Sequence, residues 1–484
     1  MKYESNLASV ARHPLPAWYE DAKFGIFIHW SLSCIPAYAP IEKNLAELLE
    51  KGGERAMFAN TPYAEWYLNS IRLDGSPAQR HHLSTYGRDH DYAAFAEEFN
   101  AAIRDWQPAQ WAELFSQAQA RYVVLVTKHH DGFTLFNSDT PHPTKPNWTA
   151  SRDILAELAP EVRARGMRMG LYYSGSIDWS FFHPPIEDFL SLALGGSTDP
   201  EYVAYVDAHY RELIDKYRPS VLWNDIGYPP GTNLYDLFAY YYNTVPEGVI
   251  NDRWIQVPAW NRWFFRLGPV RKLVSYLIRR RGPAAGIEPP APPHSDFATP
   301  EYTVREEISA RKWECVRGIG KSFGFNAEES AEDYLTADEL VHMLIDIVSK
   351  NGNLLLNVGP MRDGTIPPLQ VDRLRSLGTW LATNGAAIFE TRPWIRASAT
   401  TACGLPVRFT RKSDRLFVLI LGKPAQRQVL IRLPADSASM LAGLDASARL
   451  LGSDEPVLCE LQDGLSLTGT WLDSPAQAME LKLP

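Results

Sequence analysis

The 484-residue sequence contains only four cysteines, which are widely scattered: Cys34, Cys315, Cys403 and Cys459. No pair has the close spacing of a structural zinc site, and no compact even-numbered set suggests a disulfide framework. The first 25 residues carry charges throughout, which leaves no room for the apolar core of a secretory signal. No apolar run elsewhere is long enough to cross a membrane. We therefore expect a cytoplasmic protein with free thiols and no membrane span.

An excess of positive charge is also missing. The 48 Lys and Arg residues against 57 Asp and Glu residues give a net charge of −9, which argues against nucleic acid as the main partner. No segment recurs at the fixed period of a solenoid. Aromatic residues make up 12% of the chain and include 15 Trp. Such rings stack well on sugars, but they fill protein cores more often, so their number is only a weak indication.

Six apolar runs each end in a residue that can take part in chemistry. The runs are GIFIHW, VVLVTKHHDG, MRMGLYYSG, SVLWNDIG, GVINDRW and NLLLNVGP. A strand that is apolar throughout is covered on both faces, as in a parallel sheet, and stretches of helical periodicity separate most of these runs. This alternation predicts a (β/α)8-like barrel with its site at the carboxyl ends of the strands. Those ends carry His29, His129 with His130, Tyr172, Asp225, Arg253 and Asn357.

The pattern divides the chain into two domains. Residues 1–393 are predicted to form the barrel, with helical spacing over 92–119 and a helix near 153–165 that Ser151 would cap. After Pro393 the runs VRFT, RLFVLIL, QVLIRL and MELKL are short, partly alternating and separated by turn residues. They predict a C-terminal antiparallel β-sandwich over 394–484. Since this part lacks a cluster of catalytic residue types, we expect it to pack against the barrel.

Asp225 is the sharpest catalytic candidate, because it directly follows an apolar strand. From position alone an Asp that caps a helix or turn is about as plausible. A second carboxylate would favour catalysis, since retaining glycoside hydrolysis needs a nucleophile and an acid. The adjacent His129 and His130 lack the HxH or HExxH spacing of metal ligands. They fit hydrogen bonding to sugar hydroxyls, although one of them could be structural, and His29 leaves the same choice open.

Nine motifs resemble, in order, those of the α-L-fucosidases, family 29 of the glycoside hydrolases. They extend from residue 23 to about residue 364 and read KFGIFIHW, AEWY, TKHHDGF, GLYYSG, VLWNDIG, VINDRW, TPEY, WECVRGIGKSFGFN and GNLLLNVGPMRDG. The resemblance implies a barrel with a C-terminal β-sandwich. It also implies an exo-acting enzyme that removes terminal α-L-fucose from fucosylated oligosaccharides or glycosides with retention, without a metal ion or organic cofactor.

The resemblance also assigns roles to residues. It makes Asp225 the nucleophile and Glu301, in TPEY, the general acid/base. Glu288, Glu306, Glu307 and Glu314 are rivals for the second role, and we expect them to be solvated surface carboxylates. Trp223 and Phe323, together with Phe27, would contact the sugar ring and its C5 methyl group. The other residues at sugar-binding positions of the family are His29, Glu65, Trp66, His129, His130, Tyr172 and Arg253.

An insertion at about 257–293 departs from the family pattern. Val270, Leu273, Val274, Leu277 and Ile278 form an apolar stripe flanked by basic residues, and we expect this helix to dock near the barrel mouth. Several alternatives stay open: a fucosyl-transferring or related retaining glycosidase, a metal-dependent hydrolase, and a catalytically inactive sugar-binding barrel. Linkage specificity, the natural aglycone and the oligomeric state, a homo-oligomer included, are open as well.

Overall fold

The computed structural model describes residues 2–41, 45–181, 184–257, 268–270, 292–434, 436–437, 440–443, 447–461 and 464–483. Seven parallel strands form its first sheet, in the order β5-β4-β3-β2-β1-β7-β6. Nearly all their residues are buried, as strands with a layer of helices outside and side chains inside should be. The strands are β1 (Phe24–Ile28), β2 (Tyr122–Lys128), β3 (Arg168–Ser174), β4 (Val221–Asp225), β5 (Val249–Ile250), β6 (Trp313–Gly318) and β7 (Gly352–Val358).

A segment at residues 296–302, called the closing segment below, lies between the two edge strands. The Asp296 amide donates to the Ile250 carbonyl of β5 at 3.0 Å. On the other side, Ala298 pairs with Trp313 and Glu301 with Val316 in parallel bridges to β6. The segment therefore takes the eighth place in the ring. The predicted (β/α)8-like barrel is confirmed.

The helices with described bounds are α1 (Leu7–Val10), α2 (Ala17–Ala22), α3 (Leu45–Ala59), α4 (Tyr67–Ile71), α5 (Pro77–Thr85), α6 (Phe95–Ala102), α7 (Pro108–Gln117), α8 (Ile154–Ala164), α9 (Phe189–Leu194), α10 (Pro200–Tyr217), α11 (Leu234–Thr244), α12 (Ala337–Ser349) and α13 (Pro368–Asn384). The first residue of α7 is a proline, which forces Gln107 out of the helical region at φ −118° and ψ 100°. The helical spacing predicted over 92–119 is therefore divided between α6 and α7.

The cap of α8 differs from the prediction. The Asp153 side chain accepts a hydrogen bond from the Ala156 amide at 2.8 Å and is the N-cap. Ser151 lies farther upstream, where its amide donates to the Asn100 side chain at 2.7 Å. Asp is as good a cap as Ser, and it stands directly before the first helical residue.

The C-terminal domain contains eight antiparallel strands whose hydrogen bonds close a ring in the order β10-β15-β12-β13-β14-β11-β8-β9. The predicted antiparallel β-domain is confirmed. The two sheets expected of a sandwich are joined by hydrogen bonds into one closed barrel, which surrounds its own apolar core. Its first strand begins at Arg392, next to the boundary predicted after residue 393. The strands are β8 (Arg392–Thr401), β9 (Pro406–Lys412), β10 (Arg415–Leu421), β11 (Gln428–Arg432), β12 (Ser447–Leu450), β13 (Pro456–Leu461), β14 (Leu465–Thr468) and β15 (Ala476–Lys482).

Most of the predicted insertion at 257–293 lies outside the described residues, and so does its amphipathic helix beyond Val270. Within the described ranges, no helix is long and apolar enough to cross a membrane. The four cysteines form no disulfide, and Cys403 alone of the four is exposed.

Candidate active site

The carboxyl ends of the barrel strands bring together the side chains that the sequence singled out. Asp225 is the last residue of β4, and the register of β3 places Ser174 beside it and Tyr172 beside Trp223. His29 directly follows β1, where its amide donates to the Val358 carbonyl of β7 at 3.2 Å. His129 and His130 follow β2, Arg253 follows β5, and Glu301 lies on the closing segment. The barrel thus gathers in one mouth residues that are hundreds of positions apart in the chain.

The Asp225 carboxylate is held at both oxygens. Its Oδ1 accepts from Arg253 Nη1 and from the Ile226 amide, both at 2.9 Å. Its Oδ2 accepts from the Tyr172 hydroxyl at 2.8 Å. Only 12% of the side chain is exposed, and the three donors hold the carboxylate in one orientation. This arrangement suits a nucleophile that must reach one atom from one side.

Arg253 connects the two candidate catalytic carboxylates. Its Nη1 lies 2.9 Å from Asp225 Oδ1 and 2.7 Å from Glu301 Oε1. The distance between these two oxygens therefore cannot exceed the sum of the two contact distances. Burial would lower the pKa of the guanidinium, but Glu301 and Asp225 outweigh it and raise that pKa above its ordinary value. Arg253 is thus a permanent cation that contacts both carboxyl groups.

His29 presents a hydrogen-bond acceptor to the pocket. The Asn357 side-chain amide donates to the Phe323 carbonyl at 2.6 Å, so its oxygen is the atom that faces His29 Nδ1, also at 2.6 Å. The proton must then lie on Nδ1. Burial lowers the pKa of His29 to about 4, so the ring is neutral near pH 7 and its Nε2 carries a lone pair.

His130 has the same tautomer for a similar reason. The Ser174 hydroxyl donates to the Ile177 carbonyl at 2.6 Å and therefore accepts from His130 Nδ1, also at 2.6 Å. Its Nε2 lies 3.7 Å from Asp225 Oδ2, which is too far for a hydrogen bond. Burial, then Lys128 and His29, hold the pKa of His130 well below its usual range. The ring is neutral, and its contact with Asp225 is not an ion pair.

His129, Glu65 and Trp66 complete the polar side of the mouth. The His129 ring stacks on Tyr172 with centroids 5.8 Å apart, and burial lowers its pKa strongly. Glu65 Oε2 accepts from the Gly324 amide at 2.8 Å, and burial raises the pKa of this carboxyl to about 7. The Trp66 ring meets His130 edge to face at 5.4 Å. Glu65 and Trp66 belong to a short 3₁₀-helix, Ala64–Trp66, so strand ends alone would not have predicted them.

Aromatic side chains lie among these polar groups. Phe27, Tyr172, Trp223 and Phe323 belong to one buried cluster inside the barrel. The Tyr172 and Trp223 rings stack at 5.3 Å, and the Arg253 guanidinium lies 4.8 Å from the Trp223 ring centroid. The mouth therefore combines charged and polar groups with apolar ring surfaces.

Glu314 corrects a sequence-based expectation. It was expected to be a solvated carboxylate, but it is completely buried inside the barrel. It accepts hydrogen bonds from the hydroxyls of Tyr19 at 2.8 Å and Tyr122 at 2.5 Å, and from Trp223 Nε1 at 3.2 Å. Burial raises its pKa to about 7. Since Trp223 lies under the catalytic groups, Glu314 supports the floor of the site. No local pattern in WECVRG signals this burial, because the three donors are far away in the sequence.

The structure does not place the other rivals for the acid/base role beside Asp225. Glu306 and Glu307 are exposed, and Glu288 lies outside the described residues. Within the described part of the chain, no group of three or more His, Cys, Asp or Glu side chains could hold a metal ion. Among the carboxylates that the sequence proposed, the structure places Glu301 next to Asp225.

Comparisons with known proteins agree with this geometry. A family model described as "Alpha-L-fucosidase" matches residues 1–386. The chain belongs to the α-L-fucosidase family of glycoside hydrolases. It is 30% identical to the tissue α-L-fucosidase of Homo sapiens over 94% of this chain and 86% of that one. The α-L-fucosidase of Branchiostoma floridae is 32% identical, with coverages of 90% and 85%.

Solved structures show the same likeness. The α-fucosidase of Thermotoga maritima in complex with a mechanism-based inhibitor is 37% identical and superposes with a TM-score of 0.81, covering 99% of this chain and 100% of that one. The family predicted from the nine motifs is therefore confirmed. Membership implies a fucosylated glycan as substrate.

Proposed function

We propose that the protein hydrolyses terminal α-L-fucosides by a double displacement with net retention. The observation that carries the proposal is the bridge from Arg253 Nη1 to Asp225 and Glu301. It keeps the nearest carboxylate oxygens closer than the roughly 6.5–9.5 Å separation that an inverting enzyme needs to fit a water molecule between its carboxyl groups. Direct attack by one carboxylate, with protonation by the other, suits this spacing.

In the first step Asp225 attacks the anomeric carbon, and the bond from that carbon to the aglycone oxygen breaks. Glu301 gives its proton to the departing oxygen. In the second step Glu301 takes a proton from water, which attacks the anomeric carbon and releases Asp225. Tyr172 and Arg253 each donate a hydrogen bond to one oxygen of Asp225, so the carboxylate keeps its orientation during both steps.

The pocket suits a terminal 6-deoxy sugar. Trp223 and the buried Glu314 beneath it close the pocket from below, which favours entry of the last sugar of a chain. His29 Nε2 and His130 Nε2 can accept hydrogen bonds from sugar hydroxyls. The aromatic cluster offers an apolar surface for the C5 methyl group, where the extra hydroxyl of an α-L-galactoside would lose its hydrogen bonds.

A matched pair of aryl glycosides tests the substrate. We expect hydrolysis of an aryl α-L-fucoside, with kcat/KM roughly 100-fold lower for the corresponding α-L-galactoside, since an apolar pocket rejects an added hydroxyl by about this factor. Product analysis separates free fucose from fucosyl transfer to an acceptor. Binding without turnover would contradict the proposal and favour an inactive sugar-binding barrel.

Variants of two neighbouring glutamates test the acid/base assignment. Glu301→Ala should slow substrates with poor leaving groups far more than activated aryl fucosides, because an activated aryl oxide departs with little protonation. Glu307→Ala, which removes an exposed carboxylate on the same loop, is the control and should change neither rate. Equal losses on both substrates for Glu301→Ala would remove it from this role.

Four expectations stay predictions. Cell fractionation would test the cytoplasmic location, sedimentation analysis would test for a homo-oligomer, and a nucleic-acid binding assay would test the expected lack of such binding. The part of 257–293 outside the described residues is predicted to shape the aglycone side. Deleting Trp260 to Pro290 with a short linker should then impair oligosaccharide cleavage more than aryl fucoside cleavage.

A further inference from the structure

The guanidinium that bridges the two carboxylates is itself held by one residue of the closing segment. Thr299 Oγ1 accepts from Arg253 Nε at 3.0 Å, and the Thr299 carbonyl accepts from Arg253 Nη2 at 3.1 Å. Two contacts with one residue fix both the position and the orientation of the planar guanidinium. They leave Nη1 to point at Asp225 and Glu301.

Asp252 fixes the direction of the Thr299 hydroxyl. Its Oδ1 accepts from Thr299 Oγ1 at 2.6 Å and from the Thr299 amide at 3.1 Å. A carboxylate accepts hydrogen bonds, so the hydroxyl proton points to Asp252 and a lone pair is left for Arg253 Nε. Thr299 is 1% exposed and Asp252 8%, which keeps water from taking over either contact.

These contacts join two parts of the chain that carry different catalytic groups. Asp252 and Arg253 follow β5, whereas Thr299 and Glu301 lie on the closing segment. Pro300 separates Thr299 from Glu301 and restricts the backbone between them. A change in the position of Thr299 is therefore passed on both to Arg253 and to Glu301.

We propose that Thr299 and Asp252 are positioning residues that set the separation of the two catalytic carboxylates through Arg253. This inference rests on the roles proposed for Asp225 and Glu301. When the Thr299 hydroxyl is lost, Arg253 Nε no longer has its acceptor, and the plane of the guanidinium tilts. Because Glu301 then stands out of line with the glycosidic oxygen, proton transfer to the leaving group suffers most.

Three threonine variants test the proposal. Thr299→Val removes the hydroxyl at nearly constant shape, Thr299→Ser retains it, and Thr410→Val is the control. Thr410 is equally buried, but its hydroxyl donates to the Ala387 carbonyl at 2.6 Å, far from the mouth. The readout is kcat/KM over a series of aryl fucosides of decreasing leaving-group ability, with thermal unfolding measured in parallel.

We expect Thr299→Val to lose about 100-fold with the poorest leaving group, the size of effect that a misplaced catalytic group produces, and much less with the best one. Thr299→Ser should stay close to the wild type, and Thr410→Val should be less stable but show an unchanged leaving-group dependence. If Thr299→Val has the same dependence as Thr410→Val, the inference is overturned.

Asp252→Ala provides a second, independent route. Asp252 acts on Arg253 through Thr299, so the substitution should steepen the leaving-group dependence in the wild type. It should add less in the Thr299→Val background, which has already lost the hydroxyl contact. Additive effects would overturn the inference. Glu301→Ala in the same assay separates a failure of this inference from a failure of the proposed function. If Glu301→Ala steepens the leaving-group dependence but the Thr299 variants do not change it, only the positioning role is rejected. If Glu301→Ala does not change the dependence either, the assignment of Glu301 is rejected, and this inference with it.

Discussion

At the scale of the residue, the barrel buries several imidazoles in neutral form. His209 is 1% exposed, its Nδ1 lies 3.0 Å from the Tyr173 hydroxyl, and its Nε2 lies 2.7 Å from the Thr140 carbonyl. The carbonyl can only accept, so Nε2 carries the proton and Nδ1 accepts from Tyr173. A second proton would have to displace that bond, and burial lowers the pKa of His209 to about 4.

His209 should therefore weaken the fold in mild acid. Its ordinary pKa is 6.5, so between pH 6.5 and about 4 the unfolded chain binds more protons than the folded one, and stability falls as the pH falls. The contribution is roughly 3 kcal/mol over this window. Denaturant unfolding of His209→Gln should show a correspondingly smaller loss of stability between pH 6.5 and 4. The control is His81→Gln, which replaces a less buried histidine. If the stability of the wild type and of both variants has the same pH dependence, the prediction is contradicted.

Single residues also show how far the sequence could lead. Asp225 was predictable because it ends an apolar strand, and His29 and Arg253 for the same reason. Glu301 was found only through the resemblance, since TPEY follows no apolar run. Glu314 was misjudged, because its three donors come from Tyr19, Tyr122 and Trp223, which no local pattern connects with it.

At the scale of the element, the closing segment is secured by Asp296. Its Oδ2 accepts from the Ile250 amide at 2.8 Å and from the Tyr242 hydroxyl at 2.9 Å. His13 Nδ1 lies 3.1 Å from its Oδ1, with both side chains buried. One carboxylate thus joins β5, α11 and the N-terminal residues to the segment that carries Glu301.

Asp296→Ala should consequently be among the more damaging substitutions outside the mouth. It leaves buried donors without their acceptor, and we expect a loss of about 3–5 kcal/mol in the free energy of unfolding. Asp414→Ala removes a carboxylate that is 57% exposed and should cost less than about 1 kcal/mol. Denaturant titrations of both variants check this. A loss of similar size for the two variants would show that Asp296 does not secure the segment.

Elements were predictable where one local signal dominates. Strands β1 to β5 and β7 coincide with the six apolar runs, each of which is a strong local signal. The closing segment was not predicted as a strand, because Pro300 cannot donate to a neighbouring strand and its hydrogen bonds depend on two edges far away in the sequence. The same non-local pairing closes the C-terminal strands into a barrel.

At the scale of the whole molecule, the C-terminal barrel completes the core of the first one. Phe417, Leu419 and Ala478 belong to the same buried cluster as the helices of the catalytic barrel. Polar contacts surround this apolar interface. His342 Nε2 lies 2.7 Å from the Pro475 carbonyl, and Arg392 lies 2.8 Å from Asp21.

The two domains should therefore unfold together. Because separation would expose apolar side chains of both, we expect one calorimetric transition for the full chain, with loss of activity at the same temperature. Far-ultraviolet circular dichroism and residual hydrolysis, measured along the same scan, check the coincidence. A separate low-temperature transition that leaves hydrolysis intact would show that the C-terminal barrel is an independent appendage.

The central claim is that Asp225 forms a bond with the anomeric carbon, and rescue of its alanine variant by azide tests it most directly. Asp225→Ala should lose several orders of magnitude in turnover of an activated aryl α-L-fucoside. Azide should then fill the space of the lost carboxylate and attack from the same face. The account predicts restored release of the aryl alcohol together with β-L-fucosyl azide, identified by NMR. Turnover largely retained without azide, or an α-configured azide product, would contradict it.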